Sequence, residues 1–173
     1  MPPILPRARL KRIAEATCDH VRTWKEGVAL ERDAGKPIGD LLCKVAVDRW
    51  ALAFRLRAQA NQLLNSHHYR SAISRYYYSM YHSMRACVFI HHEGDDHEKH
   101  SELPLYIPPS FDPAGTNWQT KLKDARLLRN RVDYESYPKS EHAWQPDAQT
   151  IRQDANLLLK VSRHYLALKG CTL

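Results

Sequence analysis

Residues 63–86 read LLNSHHYRSAISRYYYSMYHSMRA, and the reading of this stretch decides the fold class. From Tyr69 onward, Ala72, Ile73, Tyr76, Tyr77, Met80, Met84, Cys87 and Val88 recur at steps of three and four, the spacing that gathers side chains on one side of an α-helix. Ser74, Tyr78, His82 and Arg85 fall on the opposite, polar side. Consecutive helical residues point in different directions, so Tyr76, Tyr77 and Tyr81 are assigned to packing and Tyr78 to the wetter face. Asn65 and Ser66, just upstream, offer an N-cap for this helix.

Working outward, the stretch from about Asp40 to Leu64 also keeps a helical period, with Val47, Ala51, Phe54 and Ala58 on one side and Arg55 and Arg57 left wet. Before it, Leu10, Ile13, Thr17, Val21, Trp24 and Val28 predict a helix from about Pro6 to Ala34, ended by Gly35-Lys36-Pro37. Downstream, Gly94, Pro104, Pro108, Pro109, Pro113 and Gly115 punctuate residues 91–115 into a loop of unusual length. Thr116-Asn117-Trp118-Gln119 has the form of a capping box, and Trp118, Leu122, Ala125, Leu128 and Val132 continue as a helix. After an interruption at 134–146, Ile151, Ala155, Leu158 and Tyr165 mark a last helix closed by Lys169-Gly170. No stretch of useful length alternates with the period of a half-buried strand, so the fold class is all-α. Residues 1–38 are expected to form an extra N-terminal helix, and residues 39–173 a helical-bundle domain.

The 173 residues suit one domain, and 43% hydrophobic with 26% charged residues is the balance of a folded globule. The formal net charge of +7 favours polyanionic partners such as RNA, DNA or an acidic protein, and serves equally as a solvated basic surface. Cys18, Cys43, Cys87 and Cys171 make no C-x-x-C pair and read as reduced, mostly buried thiols. Proline breaks Met1-Pro2-Pro3-Ile4-Leu5-Pro6 before an apolar signal-peptide core develops. No apolar run approaches the roughly 20 residues that a membrane crossing requires. A reducing cytoplasm is therefore expected, with no membrane association. His91, His92, His97 and His100 lie close in sequence, but no cysteine accompanies them, so no metal and no cofactor is expected.

Residues 63–86 resemble the tyrosine-rich second helix of bacterial and archaeal HEPN proteins (higher eukaryotes and prokaryotes nucleotide-binding). Residues 127–134, LLRNRVDY, look like the Arg-x-x-Ala-Asp-Tyr segment of their next motif-bearing helix. The two segments stand in the family's order, with His97-Glu98-Lys99-His100 in the loop between them, and the resemblance covers about Leu42 to Tyr165. It implies an antiparallel, up-and-down bundle of four to five helices that forms a homodimer by packing these helices against a second copy. It also implies RNA or nucleotide as ligand. Many relatives are metal-independent ribonucleases, some of them toxins paired with a nucleotidyltransferase antitoxin. Their signature is an arginine, often followed by a polar residue, with a histidine four to six residues on.

Arg129 and Asn130 match the start of that signature, but the windows after Arg126, Arg129 and Arg131 hold no histidine, and Tyr134 stands nearest to its position. Attack by a ribose 2′-hydroxyl needs a proton carrier of near-neutral pKa, whereas phenols titrate near 10. The expected function is thus RNA or nucleotide binding with catalysis weak or absent. The rivals are an endoribonuclease toxin in which His82, His100 or Tyr134 supplies the chemistry, and an interaction partner of a nucleotidyltransferase that modifies Tyr134 or Tyr137. Arg129, Asn130, Tyr134 and His82 are the candidate catalytic residues. Arg75, Tyr78, Arg126, Arg131, Asp133 and His100 are the candidate nucleic-acid contacts. Arg129 and Asp133, spaced i to i+4, would serve equally as an ion pair that locks the helix end. Lys121, Lys123, Arg126, Arg129 and Arg131 make that helix basic, which also fits a solvated face.

Overall fold

A computed structural model describes residues 18–35, 37–94, 97–135 and 140–172. Among the described residues there are five helices: α1 (Cys18–Ala34), α2 (Ile38–Asn65), α3 (Tyr69–His91), α4 (Trp118–Tyr134) and α5 (Gln145–Leu168). Short 3₁₀ turns at Leu103–Tyr106 and Glu141–Trp144 interrupt the two longer connections, and the described residues contain no strand. The chain divides into two compact units, residues 1–41 and 42–173. In the first, Gly35 ends α1 in the left-handed conformation, φ +60°, that favours glycine. Of the stripe expected there, Leu10, Ile13 and Thr17 lie outside the described residues, while Trp24 and Val28 are exposed.

In the second unit, hydrogen bonds between helices define the direction of each. Tyr76 to Asn61 and Ser79 to Ala53 run α3 antiparallel to α2, and Tyr78 to Arg129 and Arg70 to Val132 run it antiparallel to α4. Trp50 to Leu159 and Arg57 to Asn156 run α5 antiparallel to α2. The result is an up-and-down bundle with α3 at its centre, where Ile73, Tyr76, Tyr77, Met80 and Met84 are all but fully buried.

The inward side of α2 differs from the expected one. Phe54 and Ala58 are exposed and Val47 and Ala51 half-buried, whereas Ala46, Ala53, Ala60 and Leu64 are buried. The reason is close approach: Ser79 Oγ on α3 donates to the Ala53 carbonyl at 2.8 Å, which a bulky residue on that seam would prevent. The caps also move. α2 runs through Asn65, so α3 starts after His68 without a side-chain cap, joined by a turn in which the His68 amide donates to the Leu63 carbonyl. For α4 the cap is Asn117, which accepts from the Thr120 amide, one residue beyond the Thr116 of the expected box.

At the end of α5, Gly170 (φ +82°) reverses the chain, and the Cys171 amide donates back to the Leu166 carbonyl. That turn carries Cys171 to Cys43 on α2, and the two form a disulfide closing a span of 128 residues. The expectation of reduced thiols is corrected at these positions, since pairing across such a distance leaves no mark in local spacing. Cys87 is a free, buried thiol, and burial raises its pKa to about 12. Among the described residues, no helix is long and apolar enough to cross a membrane.

Candidate functional site

The polar side of α3 extends back to its first turn, where Arg70, Ser71, Ser74, Arg75 and Tyr78 occupy neighbouring positions. They meet the end of α4 at an open hollow of about 570 Å³, whose other walls are Arg129, Val132, Asp133 and Glu141. Arg70 braces this meeting point, because its guanidinium donates to the Val132 carbonyl and satisfies one of the free acceptors at the α4 terminus. Its backbone amide donates to Glu141 Oε1 at 2.9 Å, bringing the 3₁₀ turn into the same wall.

Arg129 is the most constrained cation of the hollow. Its Nη2 donates to the Tyr78 hydroxyl at 2.7 Å and its Nη1 to Asn130 Oδ1 at 3.2 Å. Its Nε lies 2.6 Å from Asp133 Oδ2, a charge contact rather than an aligned hydrogen bond. The guanidinium carbon sits 5.2 Å from the centre of the Tyr78 ring and 5.3 Å from that of Tyr134, within cation–π range of both. Burial works against its charge, yet Asp133 and the two tyrosines outweigh burial and raise its pKa. Arg129 therefore stays charged and fixed in direction, as a phosphate-binding fork requires. Arg75 is the complement: exposed, lining the hollow, and among the described residues without a carboxylate partner.

One turn further along α3 the environment changes. His100 is brought back from the loop onto the aromatic surface of α3, its ring stacked 3.9 Å from Tyr81 and its Nδ1 2.5 Å from the Tyr77 hydroxyl. Burial, then Arg129, Arg85 and Arg126, lower its pKa. Burial pushes His82 down to about 4, with Arg85, His100 and Arg49 acting the same way. The Tyr81 hydroxyl donates to the Glu98 carbonyl, so the loop is tied down by backbone as well as by ring stacking.

Of the predicted site residues, Arg75, Tyr78, Arg129 and Asp133 line one hollow, Asn130 and Tyr134 contact Arg129 without lining it, and His100 lies against Tyr78. His82 lies on the packed patch below the loop. Arg131 points elsewhere, its guanidinium 5.5 Å from the ring centre of buried Trp144. Tyr137 lies outside the described residues. Sequence reasoning missed Arg70, Ser71 and Glu141. The first two could have been found by following the polar stripe of α3 one turn toward its start, whereas Glu141 is placed by tertiary structure alone. Of the loop histidines, His92 packs edge-on against His91 and His97, and His97 stacks on Tyr106. Among the described residues, no group of three or more His, Cys, Asp or Glu is arranged to hold a metal ion.

No curated protein matches this sequence. The family model of the HEPN domain matches residues 47–165, from α2 to the last turns of α5, so it contains every residue of the hollow. The chain belongs to the HEPN domain family.

Proposed function

We propose that this protein binds RNA or a nucleotide by a phosphate held in the Arg129 hollow, in the groove between two copies of the chain, with catalysis weak or absent. The observation that carries this reading is a guanidinium clamped by Tyr78, Asn130 and Asp133 beside Arg75, which has no carboxylate partner among the described residues, both lining one open hollow. The clamp preorganises the fork, and Arg75 supplies the charge that attracts the ligand. Exposed Leu127 and Tyr134, the latter 71% accessible, flank Arg129 on α4 and favour a second copy there. Light scattering should give twice the chain mass. Arg129→Ala should lower affinity for single-stranded RNA by roughly tenfold or more while the helical circular dichroism persists. Unchanged affinity with a lower melting temperature would reassign Arg129 to holding α4 in place.

The position of His100 favours a second reading, a metal-independent endoribonuclease toxin. A histidine kept neutral beside Arg126 and Arg129 is placed to accept a proton in the way the absent signature histidine would. Expression should then arrest growth, and His100→Ala should relieve it. Purified dimer that leaves RNA intact ends this reading. Exposed Tyr134 is likewise accessible to a nucleotidyltransferase antitoxin, which would co-purify with the chain. A cytoplasmic setting accords with these roles, and the Cys43–Cys171 pair would there be exposed to reduction.

A further inference from the structure

Arg75 lines two hollows, not one. On its far side a second open hollow of about 390 Å³ is formed by Gln59, Gln62, Leu63 and Ser66, from the last turns of α2 and the turn after it. Among the described residues Arg75 alone is shared with the Arg129 hollow, so its side chain forms the ridge between the two. The chemistry changes across that ridge. One side offers guanidinium groups and a tyrosine ring. The other offers two exposed side-chain amides and a hydroxyl, with Leu63 as a half-buried floor and, among the described residues, no charged group in its walls but Arg75 itself.

We infer that the two hollows are consecutive subsites of one track for a single-stranded RNA segment, with Arg75 on the phosphate that joins two nucleotides. This deepens the phosphate-binding reading and rests on it. Amides carry a donor and an acceptor each and can pair with a base edge, while carrying no charge to attract a phosphate. A hollow of that composition next to a cation suits the base of a neighbouring nucleotide. The Tyr78 ring supplies a stacking surface on the Arg129 side, and Leu63 an apolar one on the other. A mononucleotide fills only the Arg129 side, and bases paired in a duplex have their Watson–Crick edges already occupied, whereas those of a single strand are free to meet Gln59 and Gln62.

The test uses the full chain, fluorescence anisotropy, and two probes: a single-stranded RNA hexamer and a mononucleotide. The double variant Gln59→Ala/Gln62→Ala replaces exposed side chains and should leave the thermal melt in place. It should weaken hexamer binding by roughly tenfold, the loss of two hydrogen bonds, without changing mononucleotide affinity. Arg75→Ala should lower the salt-dependence slope of hexamer binding by about one. Hexamer affinity unchanged in the double variant, with Arg129→Ala still damaging, would overturn the track while sparing the phosphate site. Binding of neither probe by the unmodified chain would overturn both.

Discussion

Around Tyr78, the polar side of α3 borders an open hollow: an arginine from α4 lies across it, and a second arginine is exposed with no carboxylate partner among the described residues. Around His82, on the same helix one turn on, the polar residues are roofed by the loop, His100 is packed on Tyr81, and both histidines are pushed toward neutrality. The residue types differ little between the two regions, each combining arginine with an aromatic or imidazole ring. What separates them is the charge of the neighbours: Asp133 and two phenols face Arg129 and outweigh its burial, whereas His82 and His100 meet burial together with arginines. Charge is retained where a carboxylate stands beside the half-buried cation and is penalised where burial and neighbouring cations act in the same direction.

The largest contrast should come from removing the ring beneath each region. Tyr81 is 5% exposed and carries both His100 and the bond to Glu98, so Tyr81→Ala should cost about 3–5 kcal/mol in denaturant unfolding. Tyr78 is half-buried, and Tyr78→Ala should cost only about 1 kcal/mol, the scale of one hydrogen bond, while weakening RNA binding. Equal costs would mean that the open hollow is as tightly packed as the roofed patch.

The disulfide belongs to the roofed end, where α2 begins and α3 and α5 finish. Arg49 lies over Phe89 there, and a Cβ at Gly94 would lie 3.8 Å from the Leu42 side chain. Closing a span of 128 residues restricts the unfolded chain, so reduction should destabilise the protein by about 2–5 kcal/mol in paired melts with and without dithiothreitol. RNA affinity should be the same in both forms, because Arg75 and Arg129 lie at the other end of α3. A loss of affinity on reduction would show that the two ends are coupled.

Acid should also act on the roofed end. Histidine ordinarily titrates near 6.5, and folding holds His82 at about 4, so the unfolded chain takes up that proton more readily. The contribution of His82 is complete above about pH 6.5 and is lost progressively as the pH falls toward 4. His100 shifts in the same direction. The melting temperature should therefore fall across that window, and His82→Gln should flatten the decline. An equally steep decline in the variant would assign the acid sensitivity to other groups.

This division was only half legible in the sequence. Tyr78 and Arg129 stand in the two stretches that resemble the HEPN family, and helical spacing alone puts Tyr78 on the polar side of α3. That His100 roofs the next turn could not be read, because a loop rich in proline and glycine has no period to say which residue folds back. Nor could the inward seam of α2, since alanine is as common on wet helices as on buried ones. Ala46, Ala53 and Ala60 are buried, and at Ala53 the Ser79 hydroxyl reaches the backbone carbonyl. Cys43 and Cys171 lay beyond any local pattern for the same reason: their proximity is a product of the finished bundle.

The smallest expected effect bears most directly on what Arg129 is for. Asp133 is spaced i to i+4 from Arg129, and a helical ion pair of that spacing adds about 0.2–0.5 kcal/mol to stability. Asp133→Asn keeps the shape and the oxygen that Ser74 reaches at 3.4 Å, but removes one of the two carboxylates of the hollow, the other being Glu141. Against Arg70, Arg75 and Arg129, that shifts the charge of the lining groups from +1 to +2. If Arg129 is a ligand-binding fork, RNA affinity should rise several-fold at low salt, and the gain should shrink as salt is added. If the pair is internal glue, the variant should instead melt several degrees lower and bind no better. Asparagine separates the two roles because it removes the charge while leaving the packing of the helix end in place.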